Sequence, residues 1–395
     1  MDASSATARP LSGIRVIDFT SVVAGPWATR LLADCGAEVI KIEAVGDGDM
    51  LRFAPPVNDG MSRVYAHFNT GKKSVCLDLK TAAGIEVARG LIAGADVVVE
   101  NFRPGVMARL GLDYETVSKT HPRLVYCSVS GYGQSGPDAG KAAYAPVVHA
   151  ASGFDHVMAT TQNGDGSPLN AGVMIADFTA GIYAFGAIQT ALLHRDRNGA
   201  GSHVDVTLIE SMMSLLAIQI QETQAPEALP TRVFAPVKTA DAHIMIPLVS
   251  LKSYLSVFGL IGHADWKSNP GYTSTANVMR RRAEIDAAVA DWAASRSTRE
   301  CEAALTAAGV ACSIYAGPAD LFDDVHLRQR GVFAGVDDAA GRFSVLNPPF
   351  RLSGVDCAAQ PVVARSGGNT AEVVRGVLGL DAEAYRRLEV GGAFG

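Results

Sequence analysis

The sequence predicts an α/β protein: a large unit with a parallel sheet, joined to a smaller α+β unit. Three observations carry this expectation. From Ile14 to Ser130, short β-branched runs alternate with helix-like runs, the pattern of strands joined by crossover helices. A stretch with three prolines and no clear periodicity, Gln221–Val237, interrupts the chain and reads as a linker. Finally, 395 residues with 48% hydrophobic and 19% charged side chains suffice for two sizeable cores.

Taken in order, Ile14–Phe19 (IRVIDF) reads as a strand, Trp27–Asp34 as a helix and Glu38–Glu43 (EVIKIE) as a second strand. Ser74–Leu79, Asp96–Phe102 and Leu124–Ser130 continue the strands, with helix-like Thr81–Ala93 among them. Crossovers in such a sheet are right-handed. A long apolar run, Val173–Leu193, predicts a helix, followed by a turn of charged residues (HRDRNGAGS) and a strand-to-helix junction at His203–Leu208. The expected organisation is a large domain over 1–220, a linker over 221–237, a small domain over 238–318 and a C-terminal return to the large domain over 319–395. Within the small domain, His243–Leu248 reads as a strand and Ala283–Thr306 as a helical stretch leading to Ala307–Gly317.

Composition narrows the function. The formal net charge is −6 and there is no basic stripe of the kind a nucleic-acid backbone requires, so nucleic acid is not the expected partner. Mild overall acidity does not exclude an anionic small molecule held by local cations. The six cysteines lack C-x-x-C pairing or a histidine at metal-ligand spacing; they read as reduced thiols of a cytoplasmic protein, with no metal expected. The segment MDASSATARPLSG has no apolar core of a secretory signal. Val173–Leu193 has the length to span a bilayer, but Asp177 and Gln189 interrupt it and a buried helix of a large core is the expected reading.

Four places stand out chemically. At the first strand–helix junction, Ala24-Gly25-Pro26 replaces the G-x-G-x-x-G of a dinucleotide site; it suits a capped helix with Pro26 at its first position, or a helix N-terminus that receives an anion. Asp177 lies in the most apolar stretch of the chain. A carboxylate there is either a helix cap or a functional group whose pKa burial raises. Arg103 and Arg109 flank a turn after a strand, with Asn101 close by, fitting either a phosphate site or a solvated helix start. His149 and His156 are candidates for acid–base work or satisfied core residues. No G-x-S-x-G elbow or metal spacing is present.

In order, the chain carries LSGIRVIDFT…AGP…LADCGAEVIKIE, NTGKKSVCLDLK, DVVVENFRPGVMARLG, SVSGYGQSGP and ADFTAG…ALLHRDRNGAGSHVDVTLIES, with the late AGVACSIY. Together these resemble the class III CoA-transferases (the CaiB/BaiF type), the family of formyl-CoA:oxalate and carnitine CoA-transferases. The resemblance covers nearly the whole chain. It implies a Rossmann-like large domain and an interlocked homodimer, with Gln221–Val237 as one of the straps that thread the two rings. Each active site would lie between the large domain of one subunit and the small domain of the other.

The resemblance further implies that Asp177, in D-x-x-x-G, is the catalytic nucleophile, and that coenzyme A enters as an acyl-CoA substrate beside a carboxylic acid. Positions matching the family's CoA contacts are Val22, Val23 and Ala24, the turn Asn69, Gly71, Lys72 and Lys73, and then Asn101, Phe102, Arg103, Arg109 and Tyr132. Tyr144 and His149 are candidates for the substrate pocket. Two departures point away from oxalate: Val23 stands where formyl-CoA:oxalate enzymes carry glutamine, and PLVSLKSY stands where they carry a glycine-rich loop. A different, larger acceptor, a carboxylic or dicarboxylic acid, is therefore expected. The alternative within the superfamily is an α-methylacyl-CoA racemase, which pairs the aspartate with a histidine about 30 residues earlier; the corresponding position here is Tyr144.

Overall fold

Every β-branched run between Ile14 and Ser130 forms a buried strand, since a strand covered on both faces needs apolar side chains at nearly every position. In this computed structural model, which describes residues 9–58, 60–162, 167–225, 234–338 and 341–395, the first elements are β1 (Arg15–Asp18), α1 (Ala24–Asp34), β2 (Glu38–Ala44), the short pair β3 (Val57–Asn58) and β4 (Met61–Ser62), and α2 (Arg63–Asn69). There follow β5 (Lys73–Leu77), α3 (Ala82–Ala93), β6 (Val97–Glu100), α4 (Val106–Leu110), α5 (Tyr114–Val117) and β7 (Val125–Ser130). Next come α6 (Ala145–Ala151), α7 (Phe154–Gln162), α8 (Ile175–Asn198), β8 (His203–Thr207), α9 (Leu208–Met213) and α10 (Ala217–Gln224).

Among the described residues six strands form one sheet in the order β5-β2-β1-β6-β7-β8, and every neighbouring pair is parallel. Numbered within the sheet this is 3-2-1-4-5-6, the order of doubly wound dinucleotide-binding folds, with the reversal between β1 and β6. The two-residue period of a strand divides the core. Val16, Val39, Val97, Val99 and Val125 face α1 and α8, while Ile17, Ile40, Val98 and Tyr126 face α3 and the late helix Thr370–Leu378.

The chain divides into two compact units, Met1–Ala225 with Arg328–Gly395, and Pro226–Leu327. In the first, the tail returns to the sheet edge: Gly71 N–H donates to Val362 O, Asn369 N–H to Ser74 O and Asp78 N–H to Ala393 O. In the second, β9 (Val237–Lys238), β10 (His243–Met245) and β11 (Ser313–Ile314) form a small antiparallel sheet. Helices α11 (Leu251–Leu260), α12 (Thr275–Arg280), α13 (Arg282–Ala294) and α14 (Thr298–Ala307) contribute to a core that includes Ile244, Phe258, Trp266 and Trp292.

Several sequence expectations are corrected. The charged run after Leu193 is not a turn: α8 continues to Asn198 and ends at Gly199, whose φ is 78°. Arg195 and Arg197 sit in its last turn, where cations oppose the helix dipole, and Arg195 pairs with Asp96 at 2.8 Å. The strand expected over His243–Leu248 stops at Met245. The helical stretch Ala283–Thr306 is two helices, broken where Ser297 and Glu300 form a capping box. Of the expected linker, Gln221–Gln224 belongs to α10 and Val237 to β9; residues 226–233 lie outside the described residues.

α8 is also not buried all round. Ala176, Ala180, Gly181, Ala184 and Ile188 face the core, whereas Ile182, Tyr183 and Leu193 are exposed. Among the described residues no helix is long and apolar enough to cross a membrane.

Candidate active site

Where strand order reverses, loops leaving adjacent strands part and open a crevice at their carboxyl ends. A cleft of about 470 Å³ lies there, lined by Ser21, Val22 and Ala24 after β1, Asn101–Pro104 after β6, Ser130 and Gly131 at the end of β7, and by Lys141, Tyr144 and Asp177.

Buried charges hold the loop after β1. The carboxylate of Asp18 accepts from Thr20 N–H at 2.9 Å, from the Thr29 hydroxyl at 2.7 Å and from Lys72 Nζ at 3.0 Å. Lys41 Nζ donates to Thr20 O at 2.7 Å and pairs with Asp49 at 2.9 Å, and Asp49 accepts from Val22 N–H. These bonds keep Val22 at φ 70°, a conformation that is costly for a β-branched residue. Burial works against charge on Asp18, but the Lys72 and Lys41 ammonium groups outweigh it and hold the carboxyl near 2. Burial pulls Lys72 down to about 8, against the pull of Asp18. The loop is tied from the other side by Asn101, whose Oδ1 accepts from Ser21 N–H at 2.9 Å and whose Nδ2 donates to Ser21 O at 2.8 Å.

Helix α1 then starts against Thr20. A Cβ on Gly25 would lie 2.2 Å from Thr20 Cγ2, so only glycine fits. Val23 is the N-cap, which makes Pro26 the third helical residue rather than the first. Its missing N–H is one of the four that a helix start leaves unpaired.

The anion that this helix N-terminus receives is the chain's own Asp177. Gly181, one turn further along α8, lets the two helices meet: a Cβ there would lie 2.7 Å from Ala24 O. Asp177 is thereby brought to the backbone N–H of Ala24, while its own N–H also faces the carboxylate. Burial pushes its pKa up to about 6, and these two N–H groups oppose the rise. Cap and functional group were the alternatives left by the sequence. The carboxylate takes backbone donors at two helix starts and also lines the cleft.

The other predicted residues separate. Val22, Ala24, Asn101, Phe102, Arg103 and Tyr144 line the cleft with Asp177. Val23 turns instead into an apolar cluster with Trp27 and Leu31. Arg109 is exposed, its Nη1 packed over Gly105, next to the cleft-lining Pro104. Tyr132 lies beside the cleft, its phenol close enough to act on Lys141.

The turn Asn69–Lys73 does not join Asp177. Lys72 is buried on Asp18, Pro26 O and Asn69 Oδ1, Asn69 Nδ2 bonds Tyr65 O, and Lys73 pairs with Glu38 and Glu372. With Gly71, Lys72 and Lys73 line a separate cleft beside the C-terminal tail. His149 does not line the cleft either; it is 1% exposed and accepts from Ala176 N–H at 3.1 Å.

One cleft-lining residue was missed in the sequence, and with it one buried carboxylate that holds the backbone of cleft-lining Phe102. Lys141 lines the cleft and pairs with Asp138 at 2.8 Å; its one signal is a cation isolated in a small-residue run, DAGKAA. Glu100 is buried, and its Oε2 accepts from the Phe102 N–H at 2.9 Å. Burial raises its carboxyl to about 7 against the Ser128 and Phe102 bonds. Its one signal in the sequence is a carboxylate directly after the apolar run Val97–Val99.

Residues 11–363 match CoA-transferase family III. A succinate–glutarate CoA-transferase of Agrobacterium fabrum is 36% identical over 82% of this chain and 84% of its own length. A succinyl-CoA:glutarate CoA-transferase of Mus musculus is 30% identical over 96% of this chain and 89% of its own. Among solved structures, a CaiB/BaiF family protein from Brucella suis superposes with a TM-score of 0.80 at 29% identity, covering 94% of this chain and all of that one.

Proposed function

The chain belongs to CoA-transferase family III, an acyl-CoA:carboxylate CoA-transferase, and on that premise we propose that it moves CoA between dicarboxylic acids through covalent intermediates on Asp177. The observation that carries this is the carboxylate at the cleft wall, half-desolvated and held by the start of α1.

In the proposed sequence, an Asp177 carboxylate oxygen attacks the donor thioester. The C–S bond breaks, CoA leaves as thiolate, and a mixed anhydride forms. The thiolate then attacks the aspartyl carbonyl, releasing the donor acid and leaving an aspartyl-CoA thioester. The acceptor carboxylate attacks that thioester, expelling the thiolate again and forming a second anhydride. Thiolate attack on the acceptor's acyl carbon yields the new acyl-CoA and restores the Asp177 carboxylate. Each step needs the anhydride shielded from water, which agrees with the burial that raises Asp177 to about 6. It also needs donors for the developing oxyanions; the backbone N–H of Ala24 beside Asp177 can serve as one.

Dicarboxylates are the proposed acids because two relatives are named for succinate and glutarate and because Arg103 and Lys141 line the cleft. These cations suit either the CoA phosphates or the far carboxylate of a dicarboxylate. Among the described residues no histidine lines the cleft, so the second base of a racemase has no candidate of that type, and transfer is favoured.

A homodimer is proposed, with interlocked chains as in the family. Ile182, Tyr183, Leu193, Met213, Leu215 and Ile218 leave large apolar side chains exposed along α8 to α10, more than scattered surface residues would account for. The thiols are all free, which fits a reducing compartment, and the cytoplasm is the proposed location.

The test is mass spectrometry of the enzyme treated with succinyl-CoA and then with hydroxylamine or borohydride. An acyl or CoA adduct on Asp177 is expected. A catalytically active preparation that carries no trapped adduct refutes the covalent route.

A further inference from the structure

His149 is a titratable side chain spent inside the core, and what it does there is specific. It sits on α6 and is 1% exposed; its Nε2 accepts from the backbone N–H of Ala176 at 3.1 Å. Ala176 is the second residue of α8 and directly precedes Asp177, and the N-cap Met174 provides no side-chain acceptor. The Ala176 N–H is therefore one of the four donors that a helix start leaves unpaired, and the imidazole satisfies it. An Nε2 that accepts carries no proton, so the neutral ring is protonated at Nδ1.

Helices α7, α8 and α9 pack on α6, and the titratable residues they carry include Asp155, His156, Asp177 and Glu210. Of these, Asp155 is the one whose charge acts on the ring. Burial pushes His149 below the ordinary histidine range, and Asp155 opposes that shift. His149 Nδ1 and Asp155 Oδ1 are both buried without a hydrogen-bond partner among the described residues.

We propose that His149 is a positioning residue, a neutral imidazole that pins the first turn of α8 through the Ala176 N–H and so fixes the Asp177 carboxylate against α1. It does not line the cleft. The inference rests on the reading of Asp177 as the acyl carrier. Protonation at Nε2 would set a donor against a donor and release the turn.

A glutamine amide oxygen can accept the same bond without titrating, whereas leucine of similar volume cannot accept it. His149→Leu should lower kcat by roughly ten- to a hundred-fold, the scale of an orphaned buried donor or a slightly misplaced group. The KM for succinyl-CoA should stay within about twofold, since His149 is outside the cleft. In the same variant the acid limb of kcat/KM, set by Asp177, should move. His149→Gln should restore kcat to within about threefold of wild type and return the limb.

A residue that only filled space would lower the melting temperature without moving the limb, and leucine would serve as well as glutamine. Wild-type kcat and acid limb in His149→Leu overturn the proposal, as does a folded His149→Gln that is no better than leucine. If the leucine protein does not fold, the glutamine variant decides alone: a loss beyond about tenfold in folded His149→Gln overturns it. Adduct trapping in the wild type is scored separately. No adduct there sinks the Asp177 reading, whereas an adduct with indifferent His149 variants sinks only this proposal.

Discussion

Replacing Gly181 by alanine tests whether the approach of two helices places the Asp177 carboxylate, the proposed acyl carrier. The added Cβ would lie 2.7 Å from Ala24 O, 3.0 Å from Trp27 Cδ1 and 3.2 Å from Trp27 Cβ. Ordinary contact begins at 3.4 Å, so α8 and α1 must separate by about 0.7 Å, and the obstructing atom is backbone that cannot swing aside. Overpacking of this kind costs about 1–3 kcal/mol. The same movement draws the Ala24 N–H away from Asp177 and removes one of the two donors that oppose the effect of burial. The carboxyl should then titrate above its present value of about 6. At neutral pH, kcat should fall by roughly ten- to a hundred-fold, the scale of a sub-ångström to ångström misplacement, with the KM for acyl-CoA nearly unchanged. The assay is kcat/KM for succinyl-CoA between about pH 5 and 8, with a thermal melt as the check on folding. A folded Gly181→Ala enzyme with wild-type kcat and an unmoved acid limb would refute the argument, because the packing would then not govern the carboxylate.

Asp177→Asn should lose at least about a hundred-fold in transfer yet melt higher than wild type above pH 6. The folded carboxyl titrates near 6 against an ordinary 3.8, so the folded state binds more protons across that window and wild-type stability falls as pH rises through it. The gain in Asp177→Asn is on the order of 1–3 kcal/mol above pH 6 and vanishes below about pH 4; a melting difference independent of pH contradicts this. Lys141→Ala and Arg109→Ala should each raise the KM for acyl-CoA several-fold with less effect on kcat, as loss of uniform phosphate binding does, and unchanged KM with several donors removes them from the CoA site. Light scattering on diluted samples should find about twice the 41.3 kDa chain mass with no folded monomer, and an active monomer excludes the interlocked dimer.

Much of the fold was legible because its signals are local. Val16, Ile17, Val97, Val98 and Val99 are β-branched in sequence and need no partner to favour a strand. Helix ends were less legible. His194–Asn198 looks like a turn by composition, but its last-turn Arg195 is satisfied by Asp96, 99 residues away, and the ion pair lies on the helix rather than ending it. Lys72 and Lys73 are neighbours of the same type, yet one is buried on Asp18 and the other pairs at the surface. Nothing in their local sequence distinguishes them.

The sequence by itself determined the strand–helix alternation, the family, and the aspartate proposed as the acyl carrier, since each is written in residue type and spacing along a continuous segment. Only the tertiary structure decided what that aspartate experiences. Its donor Ala24 is 153 positions earlier, the glycine that admits the contact is one turn later, and His149 reaches the preceding N–H from another helix. Burial and hydrogen bonding set a carboxylate's pKa. Both depend on loops that meet where the sheet order reverses, so they exist only once segments distant in the chain have packed together.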